Sequence, residues 1–315
     1  MSDINSSRFS IATLNLFNYL APPNAYYQFD NIYTSDEWQG KQAWLGAYLK
    51  QLNSDMVGFQ EVFSSDELKQ QTQALGYRYF ACLGEPKVES DYVFSQPPVA
   101  FASRFPIISS TKVDSIALRN MKAGRQFSRA PLHCVVQVPN LGLVNVIVVH
   151  LKSQRSSIEE SEEMSIDQRH QASVHGRWLS TQQRGGEAEM LSHYVGQLRR
   201  EQRRPTIVMG DFNHDVSSQE LQSLANKGSL QKLTDSVSLQ RFPYNSRQAT
   251  HYYGEKGNVL DYILVSSDFT SESAQQSVEV DRVDILDQHL VSPSFEHDRY
   301  ASDHAAVKAV VDIIR

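Results

Sequence analysis

The chain has 315 residues, of which 40% are hydrophobic and 21% charged, and this is enough to bury a sizeable core without disulfide staples. Its formal net charge of −6 argues against a protein that coats DNA through a general basic surface, although it allows an enzyme that meets nucleic acid through a local basic patch. The N-terminus lacks a secretory signal and no apolar run approaches the roughly 20 residues that span a bilayer, so we expect a cytoplasmic protein without stable membrane insertion.

Short apolar runs separated by turns recur along the chain and predict strands. Several runs are apolar on both alternate faces, as expected for central strands that are covered on each side. The predicted strands are Ser10–Phe17, Asp55–Val62, Val99–Ile107, Leu132–Val138, Leu143–Leu151, Pro205–Phe212, Leu260–Ser266 and His304–Ile314.

Helical periodicity is clear in two segments and weaker in a third. Apolar residues within Trp38–Leu49 share one face of a helix that we expect to end near Asn53. A second amphipathic helix covers Ala188–Leu198, and its Glu/Arg-rich side is expected to face solvent. A shorter helix is predicted over Ser65–Leu75, with Gly76 at its C-terminal end.

Many strands mixed with few helices predict an α/β protein in which two sheets pack face to face with helices outside. No linker rich in Pro, Gly or Ser divides the chain, so we expect residues 1–315 to form a single domain. The segment 153–183 is polar, and we interpret it as a solvated face or a mobile loop. Because it leaves directly from His150, a lid over a site is the alternative.

The segment TIVMGDFNHD, residues 206–215, places polar side chains directly after a buried strand. The apolar run ends in Gly210, which allows a sharp turn or a close approach of the backbone. Asp211 and Asn213 follow at alternate positions, so their side chains project together. Taken alone, Asp and Asn after a strand more often form a turn than a site.

Similar polar groups stand at the ends of other predicted strands. Ligands of sheet proteins gather at an edge to which several strands contribute, so we expect these groups to meet. The groups are Asn15, Glu61 and His150 after three strands, Asp261 at the start of another, and Asp303 and His304 before the last.

Six short motifs occur in order along nearly the whole chain. They are TLN at 13–15, QE at 60–61, VVHLKS at 148–153, GDFN at 210–213, LDYILV at 260–265 and SDH at 302–304. In these motifs the chain resembles the endonuclease/exonuclease/phosphatase family, which includes DNase I-like nucleases, abasic-site endonucleases, neutral sphingomyelinases and inositol phosphatases. Each motif is weak alone, but the ordered set is specific. The resemblance implies a four-layer α/β/β/α sandwich of two mixed, mainly antiparallel sheets.

The resemblance also implies a metal site. Glu61 would be the main Mg²⁺ ligand, Asp303 a second carboxylate, and Asn15 a ligand or a positioning group. Mg²⁺ suits such a set because it prefers a few carboxylates together with waters and substrate oxygens. Mn²⁺ or Ca²⁺ would also fit these oxygen donors.

The catalytic roles follow from the same resemblance. Asp211 would hold and polarise the attacking water, and Asn213 would donate a hydrogen bond to the scissile phosphate. Asp261 would orient His304 and favour its imidazolium form, which stabilises negative charge in the transition state. His150 would hydrogen-bond a phosphate oxygen or protonate the leaving oxygen. Whether His304 acts as base, acid or charge clamp stays open.

Substrate contacts are predicted from basic residues near these motifs. Lys152 shares the strand end of His150, and Arg125 and Arg129 belong to a basic loop that would grip neighbouring phosphates or simply be solvated. A histidine at position 150 differs from abasic-site endonucleases, and Leu260–Tyr262 differs from the inositol phosphatase pattern. We therefore expect a Mg²⁺-dependent phosphodiesterase, specifically a DNase I-like nuclease acting on nucleic acid. The alternatives are a phosphatase, a sphingomyelinase-like enzyme or an inactive binding module, and the oligomeric state is unknown.

Overall fold

The computed structural model describes residues 7–113, 126–161, 163–225, 232–242, 247–274 and 276–314. In the first half of the chain the strands are β1 (Arg8–Tyr19), β2 (Ala25–Tyr26), β3 (Met56–Val62), β4 (Tyr79–Cys82), β5 (Lys87–Ser90), β6 (Val93–Ser95), β7 (Ala100–Ser103), β8 (Ile107–Lys112), β9 (Leu132–Val138) and β10 (Gly142–His150). In the second half they are β11 (Thr206–Asp211), β12 (Thr234–Asp235), β13 (His251–Tyr253), β14 (Lys256–Asn258), β15 (Asp261–Val265), β16 (Val278–Leu286) and β17 (Ala306–Ile313).

The helices lie between β2 and β3, between β3 and β4, between β10 and β11, and between β16 and β17. They are α1 (Ser35–Leu52), α2 (Ser65–Ala74), α3 (Ile166–Glu201) and α4 (Gln288–Val291), with single 3₁₀ turns at Ser236–Leu239 and Ser267–Phe269. Within the described ranges, no helix combines the length and apolarity needed to cross a membrane.

Two six-stranded sheets form the body of the part that the structure describes, in the orders β16-β17-β1-β3-β7-β4 and β12-β15-β11-β10-β9-β8. Each sheet has one parallel pair, β1 with β3 and β10 with β11, and its other pairs are antiparallel. Asn15 lies opposite Gln60 in the first pair, and His150 lies opposite Asp211 in the second. The parallel pairs therefore bring the predicted site residues to the carboxyl ends of neighbouring strands.

Three buried apolar clusters separate four layers, which are a helical layer, two sheets and a second helical layer. Ile11 and Met56 from the first sheet and Val146 and Met209 from the second belong to one buried cluster between the sheets. The residues that pack the helices form two further clusters, Leu45 and Leu49 of α1 with Leu14 and Val57, and Leu191 and Val195 of α3 with Ile147 and Val208. The predicted α/β/β/α class with mainly antiparallel sheets is confirmed.

One predicted strand is in fact two elements. The run Val99–Ile107 gives β7 up to Ser103 and the first residue of β8, with a turn between them. The Ser103 hydroxyl donates to the Phe105 carbonyl at 2.8 Å and accepts from the Phe105 N–H at 2.9 Å. This local pair of hydrogen bonds competes with strand pairing and moves the chain from one sheet to the other.

Helix α3 is much longer than the periodic segment predicts. It begins at Ile166, behind a Ser165 cap, so that part of the polar segment 153–183 is helix and not loop. Its charged side is also not uniformly solvated, because Arg184 and Glu187 are buried, at 2% and 0% exposure. Both residues precede the predicted helix Ala188–Leu198, and they pack against the strand ends.

Gly210 allows a close approach between strands. Its φ is +146°, and a Cβ built at this position would lie 1.9 Å from the carbonyl oxygen of Val149 in β10. Gly210→Ala should lower the free energy of unfolding by about 3 kcal/mol, because it adds both backbone strain and overlap with a rigid neighbour. Urea unfolding followed by circular dichroism measures the change. Gly142→Ala is the matched control, since Gly142 has φ +99° but open space around it; similar losses in both variants would contradict the role of Val149.

Candidate active site

Asp211 lies at the end of β11 and is buried at 2% exposure. Its Oδ2 is 3.5 Å from Nε2 of His150, and its Oδ1 accepts a 2.7 Å hydrogen bond from the main-chain N–H of Asn213. The Asn213 side chain donates to the Leu151 carbonyl at 3.0 Å. Burial raises the pKa of Asp211 to about 7, against the opposing effect of His304. The segment thus forms the turn typical of Asp and Asn, and it also places a carboxylate that can accept a proton near neutral pH.

His150 is almost completely buried beside Asp211. Burial, together with the nearby charges of Arg129 and His304, lowers its pKa well below the usual value. Its Nδ1 has no hydrogen-bond partner among the described residues. A neutral imidazole can donate one hydrogen bond, which suits contact with a phosphate oxygen.

Asp261 and His304 form a close buried pair. Nδ1 of His304 lies 2.8 Å from Oδ2 of Asp261, whose side chain is 0% exposed. Burial alone would lower the pKa of His304, but the carboxylates of Asp261 and Asp211 hold it well above its usual value. Asp261 is hydrogen-bonded to Nδ1 of His304 only. The other ring nitrogen of this imidazolium, Nε2, has no contact with Asp261.

Asn15 lies just before the register of β1 and β3 shifts, and Glu61 lies one residue before the end of β3. The Asn15 amide group donates to Asp211 at 3.1 Å and to Glu61 at 3.4 Å, and its oxygen accepts from the main-chain N–H of Phe17 at 3.0 Å. Glu61, with φ +60°, accepts a further hydrogen bond from the Asn18 N–H at 2.8 Å. This arrangement favours Asn15 as a group that positions two carboxylates, the second of its two predicted roles.

A buried lysine that sequence reasoning missed faces the predicted metal carboxylates. Lys41 of α1 is 4% exposed, and its ammonium lies 5.4 Å from the ring centre of Phe17 and 5.5 Å from that of Tyr33. Burial lowers the pKa of Lys41 to about 8, whereas the charges of Glu61 and Asp303 oppose that shift. In the sequence, nothing but the position of Lys41 within an amphipathic helix could have indicated this role.

The donor groups fit a divalent cation of the kind that prefers oxygen. Glu61 is partly exposed, Asp303 is 41% exposed, and the charges of both act on Lys41. The two closest groups of ligand atoms among the described residues, His251–Asp303–His304 and Asp211–Asp261–His304, do not include Glu61. Two carboxylates leave the remaining positions to water and substrate, which suits Mg²⁺ better than a closed protein cage. The same two carboxylates raise the pKa of Lys41, although burial lowers it by more.

A third imidazole, His251 of β13, adjoins His304 and is a further residue that sequence reasoning missed. Their ring centres are 5.0 Å apart, and their main chains form an isolated antiparallel bridge. Nε2 of His251 lies 3.9 Å from Oδ2 of Asp303. The run HYYG carries no pattern that links it to SDH, so only the fold brings them together.

The predicted substrate residues differ in position. Lys152 directly follows Leu151 at the end of β10, and burial followed by the charge of Arg129 lowers its pKa. Arg129 lies beside it, with one guanidinium nitrogen 3.4 Å from the Leu151 carbonyl. Burial raises the pKa of Tyr27. The charge of Glu61 raises this pKa further and the charge of Arg129 lowers it, which places Tyr27 close to both residues. Arg125 lies outside the described residues.

A buried ionic clamp on α3 fixes the main chain after His150. Glu187 accepts the N–H of Lys152 at 2.7 Å through one oxygen and the N–H of Ser128 at 2.6 Å through the other. Arg184 donates to the Lys152 carbonyl at 2.9 Å and to Glu220 at 2.6 Å. Both main-chain groups of Lys152 are therefore held by the helix, and the strand end that carries His150 is held with them.

Glu187→Gln tests this clamp. An amide can accept at only one of its two ends, so one buried N–H loses its partner, and we expect the free energy of unfolding to fall by about 1–3 kcal/mol. Chemical denaturation of both proteins measures the difference. Glu201→Gln, at the exposed end of the same helix, should change it by less than about 0.5 kcal/mol. Equal effects of the two substitutions would show that the clamp contributes nothing specific.

Two packed sheets with carboxylates and imidazoles gathered where their central strands end define the class of DNase I-like phosphoesterases. A sequence model described as the Endonuclease/Exonuclease/phosphatase family matches residues 13–304, and the chain belongs to this family. Members of this family are phosphoesterases that generally depend on divalent metals. No curated protein sequence matches the chain.

Solved structures share the fold at low sequence identity. An endonuclease/exonuclease/phosphatase from Beutenbergia cavernae DSM 12333 is 18% identical with a TM-score of 0.60, over 97% of this chain and 72% of that one. The human Nocturnin catalytic domain with bound sulfate is 15% identical with a TM-score of 0.61, over 98% and 95%. A mannosyl-6-phosphatase from Bacteroides thetaiotaomicron VPI-5482 is 19% identical with a TM-score of 0.56, over 98% and 100%. These similarities establish the fold.

Proposed function

We propose that the protein is a Mg²⁺-dependent phosphodiesterase that cleaves nucleic acid by in-line attack of water. The observation that carries the proposal is the meeting of Asp211 with the Asp261–His304 pair, whose ligand atoms all lie within 4.8 Å of one another. A carboxylate able to accept a proton thus stands beside an imidazolium able to stabilise negative charge. Water activation and charge stabilisation are the two requirements of phosphoester hydrolysis.

Each residue has a role that its surroundings support. A cation held by Glu61 and Asp303, with Asn15 alongside, would neutralise charge on the phosphate oxygens. Asp211 takes a proton from the attacking water, and its hydrogen bond from the Asn213 N–H fixes its orientation.

The remaining side chains act on the phosphate. His304 contacts the phosphate through Nε2, while Asp261 holds Nδ1. His150 donates a hydrogen bond to a phosphate oxygen, and Asn213 does so in place of its 3.3 Å hydrogen bond to Asp211. Together these four groups stabilise the charge that develops as water attacks.

The rim of the site favours a polyanionic substrate. Arg129 and Lys152 lie on one side of the cleft, and the charge of Arg155 acts on both Lys152 and Tyr27. Three cations beside a phenol ring match a chain of phosphates with a base to contact. A single phosphomonoester would use fewer of these groups.

A substrate panel tests the proposed function. Wild-type protein and Asp211→Asn are assayed in parallel with Mg²⁺ on bis(p-nitrophenyl) phosphate, single- and double-stranded DNA, RNA, sphingomyelin and inositol phosphates. We expect turnover of nucleic acid by the wild type, loss in the variant and complete inhibition by EDTA. Turnover of sphingomyelin or inositol phosphates without turnover of nucleic acid would contradict the nuclease and indicate a sphingomyelinase-like enzyme or a phosphatase. Activity that survives chelation would refute the metal-dependent mechanism.

A further inference from the structure

His251, Asp303 and His304 form a cluster that the proposed hydrolysis uses only in part. Nε2 of His251 lies 3.9 Å from one oxygen of Asp303, and Nε2 of His304 lies 3.9 Å from the other. The three groups offer ligand atoms that all lie within 4.8 Å of one another. Two imidazole nitrogens and a carboxylate therefore converge on one point at the mouth of the site.

The backbone holds the two histidines in this relation. His251 and His304 form an antiparallel bridge, and the N–H of Ala305 donates to the Thr250 carbonyl at 2.7 Å. The Thr250 hydroxyl accepts the N–H of Asp261 at 3.1 Å, which ties the start of β13 to the start of β15. The position of His251 is thus set by the same strand that carries the partner of His304.

The donor set differs in kind from the oxygen-rich group at Glu61. Two imidazoles with one carboxylate suit zinc, whereas Mg²⁺ prefers oxygen ligands and keeps its waters. Histidines that bind zinc usually donate their other ring N–H to a carboxylate, which fixes the tautomer. His304 already has this arrangement, since its Nδ1 is bonded to Asp261 at 2.8 Å.

The distances are close to those that zinc needs. With zinc–ligand bonds of about 2.0–2.2 Å, neighbouring ligand atoms of a tetrahedral site lie roughly 3.4 Å apart. The two 3.9 Å separations end on different oxygens of Asp303, and the three ligand atoms all lie within 4.8 Å of one another. Side-chain adjustments of up to about 1.4 Å would therefore bring the three atoms to zinc-binding distance. The side chain of Asp303 is 41% exposed, which leaves it room for such an adjustment.

We propose that His251, Asp303 and His304 form a zinc site that shares Asp303 with the Mg²⁺ site but does not include Glu61. Resting on the proposed function, we further infer that zinc inhibits hydrolysis. Zinc binding displaces the proton on Nε2 of His304 into solvent, so that this nitrogen no longer contacts the phosphate, and it draws Asp303 away from the oxygen-rich group. Inhibition by zinc would thus come from capture of two residues that the reaction needs.

Calorimetric titration of EDTA-stripped protein with ZnCl₂ tests the site without any substrate. Wild type should bind one zinc ion tightly, and His251→Phe, which keeps a ring against His304 but removes the nitrogens, should bind it at least about 10-fold more weakly. His251→Asn gives a second variant should the larger ring disturb folding, which circular dichroism checks. Glu61→Gln should retain tight binding, and His170→Asn is the control for exposed histidines.

These variants distinguish the proposed zinc site from zinc binding elsewhere on the protein. Tight zinc binding that persists in both His251 variants, or that disappears in Glu61→Gln, would overturn the proposal, because zinc would then occupy another site. In the activity assay, the zinc concentration for half-inhibition, relative to each protein's own uninhibited rate, should rise in His251→Phe by the same factor as its affinity falls. Zinc binding without any phosphodiesterase activity would refute the proposed function and leave the zinc site standing.

Discussion

His304→Ala is expected to lower kcat at least about 100-fold on a phosphodiester with Mg²⁺ present. The imidazolium is buried, and Asp261 and Asp211 hold its pKa well above the usual value, against the effect of burial. A fixed cation in a site with little water stabilises developing negative charge far more than the same cation in solution. Steady-state kinetics on bis(p-nitrophenyl) phosphate measures the loss, and a decrease of less than about tenfold would exclude a direct role.

The dependence of activity on pH is an independent test of the protonation state of His304. In the wild type, His304 stays protonated as the pH rises past the range in which an ordinary histidine loses its proton. Asp261→Asn removes the charge that holds this pKa high, so the alkaline fall in activity should shift to lower pH. His170→Ala, an exposed histidine of α3, should leave both kcat and the pH profile unchanged.

Asp211→Asn is expected to lower kcat by about 100- to 1,000-fold. The substitution keeps the shape of the side chain and the acceptor for the Asn213 N–H, but it removes the group that accepts a proton from water. Asp215→Asn, four residues later and exposed, is the matched control and should change kcat by less than about threefold. If the two variants were equally active, water activation would have to be assigned elsewhere.

The same variant should be more stable than the wild type at alkaline pH. Asp211 has a pKa of about 7 in the folded protein, raised chiefly by burial above the unfolded value of about 3.9. The wild type therefore loses stability as the pH rises from about 4 to about 7, because folding then requires a buried charge. Asparagine does not titrate, so the melting temperature of Asp211→Asn in EDTA should exceed that of the wild type at pH 8. The two proteins should converge at pH 4, and a less stable variant at pH 8 would contradict the assignment.

The central strands could be predicted, whereas several edge strands could not. Strand β11 is buried throughout, so an apolar run is enough to reveal it. Strand β5 is exposed throughout and carries no such run. Strand β16 begins with alternating Val278 and Val280, but the register shift between Val280 and Arg282 changes the phase of the alternation. Periodicity fails at such a bulge because one extra residue moves the following side chains to the other face.

Some residues of the candidate site could likewise be predicted from the sequence, and others could not. Asp211 and His304 lie in short motifs beside apolar strands, and this made them recognisable. Lys41, Glu187 and His251 have no such context, and each owes its place to residues distant in the sequence. Glu187 illustrates the limit, because a glutamate on an amphipathic helix is normally solvated. Its burial depends on main-chain N–H groups that only the folded strand ends provide.

The pairing of β1 has a consequence for the order of events during synthesis. β1 lies between β3 and β17, and its register with β17 runs from Arg8 opposite Asp312 to Thr13 opposite Val307. A nascent chain that has not yet released β17 leaves one edge of β1 with unpaired N–H and carbonyl groups. Such a chain can already carry Glu61 and Asp211, yet His304 reaches its place only when the strand that follows it docks. The imidazole that pairs with Asp261 therefore joins the site only after the last strand of this sheet has paired with β1.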